Sequence, residues 1–183
     1  MCHHARLVKG SRLKQFSELD KETLLGVMSD FAKNWLAHDG LWFQAVETHF
    51  DQKTAIELDT EAWRAFTVIE AKRIMARHGI QQGSGLDGLK KALGFRLYAL
   101  LNEQEITNET DNSFDFFMRD CRVQSARKRK NLPLFPCKSV GIVEYTEFAR
   151  TIDERISTTC IGCPPDPEAG NEFYCGWRFS ISA

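Results

Sequence analysis

No stretch of this sequence approaches the roughly 18 consecutive apolar residues that a membrane-spanning helix needs. The amino-terminal segment, Met1 to Gly10, also lacks an apolar core of the length found in signal peptides. We therefore expect a protein that neither crosses a membrane nor is exported, and we predict a cytoplasmic location.

The chain also has almost no net charge. Its 24 lysines and arginines nearly balance 25 aspartates and glutamates, which gives a formal charge of −1 at pH 7. Because nucleic acids and anionic membranes select an excess of positive charge, this balance argues against both classes of partner. The one dense basic run, Arg127 to Lys130, is predicted to be a solvated turn.

Familiar catalytic motifs are missing as well. The sequence has no H-E-x-x-H and no G-x-S-x-G, and Glu47, Glu57 and Glu70 do not show the Glu-x-x-His spacing of di-iron bundles. Any chemistry must therefore come from residues outside these motifs.

What the sequence does have is six cysteines, of which four lie between residues 137 and 175. Cys160 and Cys163 form a C-x-x-C pair, with Cys137 lying 23 residues before it and Cys175 lying 12 residues after it. As a helix, residues 139–153 would rise roughly 22 Å. As a strand, residues 155–160 would return roughly 20 Å. We therefore expect all four sulfurs to meet at one end of a helix-plus-hairpin unit.

Four converging thiols favour a tetrahedral metal site, and we predict a structural Zn²⁺ bound by Cys137, Cys160, Cys163 and Cys175. Two alternatives stay open, namely buried reduced thiols and an iron–sulfur cluster or redox pair. The redox interpretation is less favoured because this C-x-x-C follows a predicted strand and does not open a helix.

A second informative stretch lies in a long predicted helix. Asn34 and His38 are an i,i+4 pair on one face, with Trp35 and Trp42 on either side of His38. We predict a ligand pocket in which Asn34 and His38 supply hydrogen bonds and the two tryptophans form walls. The alternative is a helix core in which the tryptophans simply pack and His38 is a satisfied buried histidine.

Candidate catalytic residues follow from the same region. If water attacks a bound substrate, His38 and Glu70 are the candidate general bases, with Asp39 orienting the histidine. For Glu70 the favoured alternative is a solvated side chain paired with Arg73 or Lys72.

Hydrophobic periodicity predicts helices over residues 20–49, 59–78, 86–103 and 139–153, and strands over 105–109, 114–123, 155–160 and from 175 onwards. This order predicts an α+β domain with N-terminal helices packed on a four-stranded antiparallel sheet. Residues 1–19 are predicted to be a flexible lead. Residues 20–183 form one domain, in which 20–103 are helical and 104–183 contain the sheet and the cysteine unit.

The carboxy-terminal half resembles the 4-vinyl reductase domain, the fold shared by heme-NO-binding relatives and Golgi-transport subunits. Cys137, Gly141, Cys163 and Cys175 carry this resemblance, and Cys160 stands where that family has an acidic ligand. Phenol-sensing members ligate zinc with these groups, so the resemblance implies a 4-vinyl-reductase-like fold with a Cys₄ metal site.

From Met28 onward the chain also resembles an uncharacterised cytosolic family similar to L-2-amino-thiazoline-4-carboxylic acid hydrolases. The resemblance implies hydrolysis of a cyclic amidine. It is carried by Asn34-Trp35, His38-Asp39-Gly40, Trp42-Phe43, Glu57-Leu58-Asp59, Phe135-Pro-Cys137-Lys and Cys163-Pro-Pro-Asp166.

Three functions are therefore compatible with the sequence. The first is a zinc-stapled domain that binds a small aromatic or heterocyclic molecule. The second is a hydrolase of a cyclic amidine such as 2-amino-thiazoline-4-carboxylate. The third is a structural module that forms a homodimer, because members of the 4-vinyl reductase fold often pair and a long apolar helix suits a two-fold contact.

Overall fold

The computed structural model describes residues 13–182. The elements, in chain order, are α1 (Lys14–Ser17), α2 (Lys21–His49), α3 (Gln52–His78), α4 (Gly85–Leu93), a 3₁₀ helix (Leu97–Leu100), β1 (Glu103–Thr107), β2 (Ser113–Asp120), α5 (Arg122–Arg129), α6 (Lys138–Ile152), β3 (Ile156–Gly162) and β4 (Cys175–Ile181).

The four strands form one antiparallel sheet in the order β1-β2-β4-β3. Strands β2 and β4 are central, and their alternating positions place Phe114, Phe116, Trp177 and Phe179 in the core. Helix α6 covers this face with a buried stripe that includes Phe148, and α3 packs against α6. The α+β class and the four-stranded antiparallel sheet are therefore confirmed.

Helices α2 and α3 form a hairpin because an aspartate caps the start of each one. The Asp20 carboxylate accepts a hydrogen bond from the Thr23 amide (2.8 Å), and the Asp51 carboxylate accepts one from the Thr54 amide (2.6 Å). Helix α3 therefore begins at Gln52, and the predicted start at Asp59 is wrong. Asp59 instead lies two turns inside the helix, where its side chain can face another element.

Two further boundaries differ from the prediction. Helix α4 ends at Leu93, ten residues before the predicted end, because the chain turns to bury Arg96 against carboxylates of α3 and α6. Residues Arg122–Arg129, predicted to be strand and turn, form α5. The buried Gln124 fixes α5, since its side-chain amide both donates to the Phe135 carbonyl (2.8 Å) and accepts from the Phe135 amide (2.9 Å).

The predicted flexible lead, residues 1–19, lies largely outside the described residues. Its described part contains the one-turn helix α1, whose Phe16 ring lies 6.1 Å from the ring of Phe31 on α2.

The outer side of α2 carries large apolar side chains. Leu24, Met28, Phe31 and Trp42 are separated by four, three and eleven residues, each close to a whole number of helical turns, and their exposed fractions run from 37% to 69%. Despite these side chains, no helix within residues 13–182 is long and apolar enough to cross a membrane.

Candidate metal centre and ligand cavity

Three cysteines converge where α6, β3 and β4 meet. Cys137 precedes the first residue of α6, Cys163 follows the last residue of β3, and Cys175 is the first residue of β4. The Lys138 amide donates a hydrogen bond to the Pro164 carbonyl (3.0 Å), which holds the start of α6 against the loop after Cys163. Backbone contacts therefore fix the positions of the thiols.

The spacing of the three sulfurs suits a shared metal ion. The Sγ–Sγ distances are 3.4 Å between Cys137 and Cys163, 3.9 Å between Cys137 and Cys175, and 3.1 Å between Cys163 and Cys175. These distances are too long for a disulfide of about 2.05 Å. In a tetrahedral site with Zn–S bonds of about 2.3 Å, neighbouring sulfurs are about 3.8 Å apart. One of the three distances is slightly longer than this value, and the other two are shorter. Among the described residues, these cysteines form the one group of potential ligands whose atoms all lie within 4.8 Å of one another.

Cys160 lies outside this group, so the structure brings three of the four predicted ligands together. Strand β3 continues through Cys160 to Gly162, and its pairing with β4 shifts register between these two residues. Cys160 is partly buried against the core, but its sulfur is not one of the three clustered sulfurs. Cys121 is buried at the start of α5 and also lies outside the group.

The three thiols share their protons unequally. Hydrogen bonds from Cys163, Cys175 and the Gln124 amide hold the pKa of Cys137 well below its usual value. The Cys137 sulfur in turn raises the pKa of Cys163 and of Cys175, because their protons are held in hydrogen bonds to it. One thiolate therefore forms readily, and a metal ion would have to displace the other two protons.

Gly141 allows α6 to approach the sheet beside this cluster. A Cβ atom at this position would lie 2.7 Å from Cζ2 of Trp177. Trp177 is fully buried, and its indole N–H has no hydrogen-bond partner among residues 13–182.

A cavity of about 550 Å³ opens beside the cysteines. The three thiols, Trp177 and the α6 residues Gly141 and Glu144 form one part of its wall. The cavity also runs between α2, α3 and α5 as far as Asn34, and five basic residues are among those that line it, namely Lys33, Arg122, Arg127, Arg129 and Lys130. The cysteine cluster and this cavity are thus a single site.

The predicted pocket residues on α2 separate into two groups. Asn34 and Asp39 line the cavity, whereas Trp35, His38 and Trp42 surround a separate shallow groove together with Asp39. Trp35 and Trp42 therefore lie around His38, as predicted, but in this groove and not in the cavity beside the cysteines, and their binding of a ligand stays a prediction. Successive helix positions differ by about 100°, so a helix that turns Asp39 inward leaves His38 exposed to solvent.

The two tryptophans have other environments. Trp35 stacks on Phe66 of α3 with ring centroids 5.3 Å apart, as the core-packing alternative predicted. Trp42 is 69% exposed.

Glu70 is buried, but it does not line the cavity. Its carboxylate lies 2.9 Å from Arg96 Nε, and the Arg96 Nη2 atom lies 2.7 Å from the Glu144 carboxylate. The predicted solvated pairing with Arg73 or Lys72 is wrong, and the position of Glu70 gives no support to its predicted role as a general base. Glu144 is the member of this triad that faces the cavity.

Sequence reasoning missed the two carboxylates most relevant to the cavity, Asp59 and Glu144. Burial raises the pKa of Glu144 to about 7, because Arg96 is shared with Glu70 and compensates only part of this effect. Burial also raises the pKa of Asp59 to about 7, with contributions from the charges of Asp39 and Glu144. A signal for Glu144 was present, since Cys137, Gly141 and Glu144 follow the i, i+4, i+7 spacing of one helix face.

Comparison with known proteins places this chain in one protein family. A model described as a family of unknown function, DUF6125, matches residues 16–181. The chain belongs to this family. No curated protein matches it. The family has no assigned activity, so the resemblances to the 4-vinyl reductase domain and to thiazoline hydrolases stay predictions.

Proposed function

We propose that this protein binds a metal ion, zinc in the first instance, through Cys137, Cys163 and Cys175, and a small aromatic or heterocyclic molecule in the adjoining cavity. The observation that carries the proposal is that the three thiols form part of the cavity wall. A molecule in the cavity is therefore within reach of the ion that the thiols would hold.

With three protein ligands, this site differs from the predicted four-cysteine site in its coordination. Structural zinc sites usually have four protein ligands, whereas sites with three leave a coordination position for water or a ligand. An ion bound here would act as a Lewis acid on whatever occupies this open coordination position. The chain supplies the rest of the site, with aromatic side chains such as Trp63 and Tyr98 in the cavity wall.

Metal analysis of the purified protein tests the first half of the proposal. We expect close to one equivalent of zinc in the wild-type protein and a large loss in Cys163→Ser or Cys175→Ser, because each removes one of three ligands. Cys160→Ser is the matched control and should keep its metal. Loss of metal only in Cys160→Ser, or no metal in the wild-type protein, contradicts the proposal.

Cobalt substitution tests the second half. The absorption of Co²⁺ bound to thiolates depends on its coordination, so we expect the spectrum to change when phenol or indole is added to the Co²⁺-loaded protein. A saturable change that is absent from Cys163→Ser supports a ligand beside the ion. If a well-loaded protein gives no change with either probe and neither probe binds by calorimetry, the cavity is not the ligand site.

A second candidate function is hydrolysis of a cyclic amidine, and it is favoured by the presence of Asp59 and Glu144 in the same cavity. A carboxyl group with a pKa of about 7 can accept a proton from water and return it near neutral pH. Water would add to the amidine carbon, the C–N bond would break, and the leaving nitrogen would take the proton that the carboxylate had removed.

Turnover of 2-amino-thiazoline-4-carboxylate tests this candidate. We expect Asp59→Asn to reduce the rate by about 10² or more, the usual contribution of a general base. His38→Ala should leave the rate unchanged, because His38 is exposed and lies outside the cavity. Equal loss in both variants, or no turnover by the wild-type protein, counts against hydrolysis.

A further inference from the structure

Two aspartates face the cavity from neighbouring helices, Asp39 from α2 and Asp59 from α3. Within residues 13–182 no lysine or arginine forms an ion pair with either of them. Two of the basic residues that line the cavity pair with other carboxylates, Lys33 with Asp30 (3.4 Å) and Arg127 with Glu47 (3.4 Å). Arg122, Arg129 and Lys130 also line the cavity, but within the described residues none of them contacts either aspartate as an ion pair.

The electrostatics of these aspartates agree with that geometry. Burial raises the pKa of Asp39, against a smaller opposing effect of His38. For Asp59, burial and the charges of Asp39 and Glu144 raise the pKa, and the Trp63 indole N–H offsets them only partly. A cation placed between the aspartates would relieve both desolvation and mutual repulsion.

Aromatic rings lie beside the two carboxylates. Trp63 and Tyr98 both line the cavity, and their rings are stacked with centroids 5.7 Å apart and planes 17° apart. The two rings cover one face of each other, and Arg96 lies 5.9 Å from the centroid of the Tyr98 ring, so together they give the cavity a planar apolar wall near Asp59. Such a wall favours a flat molecule, and the aspartates favour a positive charge on it.

An independent sign of a ligand comes from Trp177 at the cysteine end of the cavity. Its side chain is fully buried, lines the cavity and leaves its indole N–H without a partner in the part of the chain that the structure describes. A buried donor without an acceptor is costly, and buried indoles usually find a partner. A ligand with an acceptor atom at this end would supply it.

We propose that the cavity selects a flat aromatic or heterocyclic molecule that carries a protonated nitrogen base, an amine or an amidine, held between Asp39 and Asp59. This inference rests on the proposed function, because it assigns a chemical class to the ligand of that cavity. The basic residues that line the cavity are the competing influence, and they would instead favour an anion.

Three probes of nearly equal shape separate these possibilities. Benzamidine, benzamide and benzoate share one ring and a planar head group, and they differ in charge. Calorimetric titration of the zinc-loaded full chain at pH 7.5 is expected to give benzamidine at least tenfold tighter binding than benzamide, with benzoate the weakest. Asp59→Asn should remove this tenfold preference of benzamidine over benzamide.

Glu57→Gln is the matched control, because it removes one negative charge from the exposed side of the same helix, and it should keep the preference. If Asp59→Asn fails to fold, Asp39→Asn makes the same test from α2. Equal binding of all three probes, or tightest binding of benzoate, overturns the charge preference and leaves the cavity as a binding site. Absence of binding by all three overturns the inference, and the cobalt experiment then decides whether the proposed function falls with it.

Discussion

At the scale of residues, Gly141 is a position where one added methyl group would disturb the candidate site. A methyl group there would lie 2.7 Å from Cζ2 of the fully buried Trp177. Because Trp177 lines the cavity next to the thiols, a shift of its ring would disturb packing and site together.

We therefore expect Gly141→Ala to lower the free energy of unfolding by about 1–3 kcal/mol through overpacking. Urea denaturation followed by circular dichroism measures the change. Gly26→Ala in α2 is the control, since nothing lies within 4 Å of its added Cβ, and it should be neutral or stabilising by up to about 1 kcal/mol. Equal effects of the two substitutions would contradict the close approach of α6 to Trp177.

At the same scale, the sequence predicted three of the metal-site thiols and missed the acids around them. Cys137, Cys163 and Cys175 could be predicted because helix and strand lengths fix how far the chain travels. Cys160 could not be excluded, since its position depends on the pairing of β3 with β4, whose register shifts between Cys160 and Gly162. Asp59 was missed because the predicted helix began at this residue, two turns later than the observed one.

At the scale of elements, α6 connects the candidate site to the rest of the fold. Its first turn follows Cys137, and its last residue is followed by the buried Asp153. The Asp153 carboxylate accepts hydrogen bonds from the Gly85 amide at the start of α4 (3.0 Å) and from Arg155 (2.6 and 2.9 Å). One side chain thus joins α6, α4 and the segment that leads into β3.

Hydrogen bonds from Arg155 lower the pKa of Asp153 to about 2, below the usual 3.8. A depressed pKa contributes stability that is present above pH 3.8 and is lost as the pH falls towards 2. We expect Asp153→Asn to lower the free energy of unfolding by about 1–2 kcal/mol at pH 7, a value reduced by the exposure of Arg155.

The difference between wild type and Asp153→Asn should shrink as the pH falls from 4 to 2. Chemical denaturation at several pH values measures it, with Asp87→Asn, an exposed residue at the start of α4, as the control. A difference that is independent of pH would contradict the ionised contact.

The elements themselves were predictable where one face is apolar along its whole length. Helices α2 and α6 and the strands follow the sequence periodicity to within a few residues. Helix α4 and helix α5 do not, because tertiary contacts decide them. Burial of Arg96 ends the leucine-rich run early, and Gln124 holds a basic segment in helical form through Phe135.

At the scale of the whole molecule, the homodimer stays a prediction, and the exposed apolar stripe of α2 is where we expect its contact. If two copies pair there, Met28→Glu and Trp42→Glu should each convert the dimer to a monomer, because each buries a charge in the interface. Light scattering coupled to size exclusion measures the mass. Ala76→Glu on the exposed part of α3 is the control. A monomeric wild-type protein would rule out the dimer.

The candidate ligands are close neighbours in the chain. Cys137 and Cys163 are 26 residues apart, and Cys163 and Cys175 are 12 apart. The entropy cost of closing a loop rises with its length, so these spacings keep that cost below the cost for residues far apart in the chain. The three thiols lie at the ends of α6, β3 and β4, all within the carboxy-terminal half. We therefore expect the ion to link the carboxy-terminal elements to one another, while the α2–α3 hairpin supplies the opposite wall of the ligand cavity.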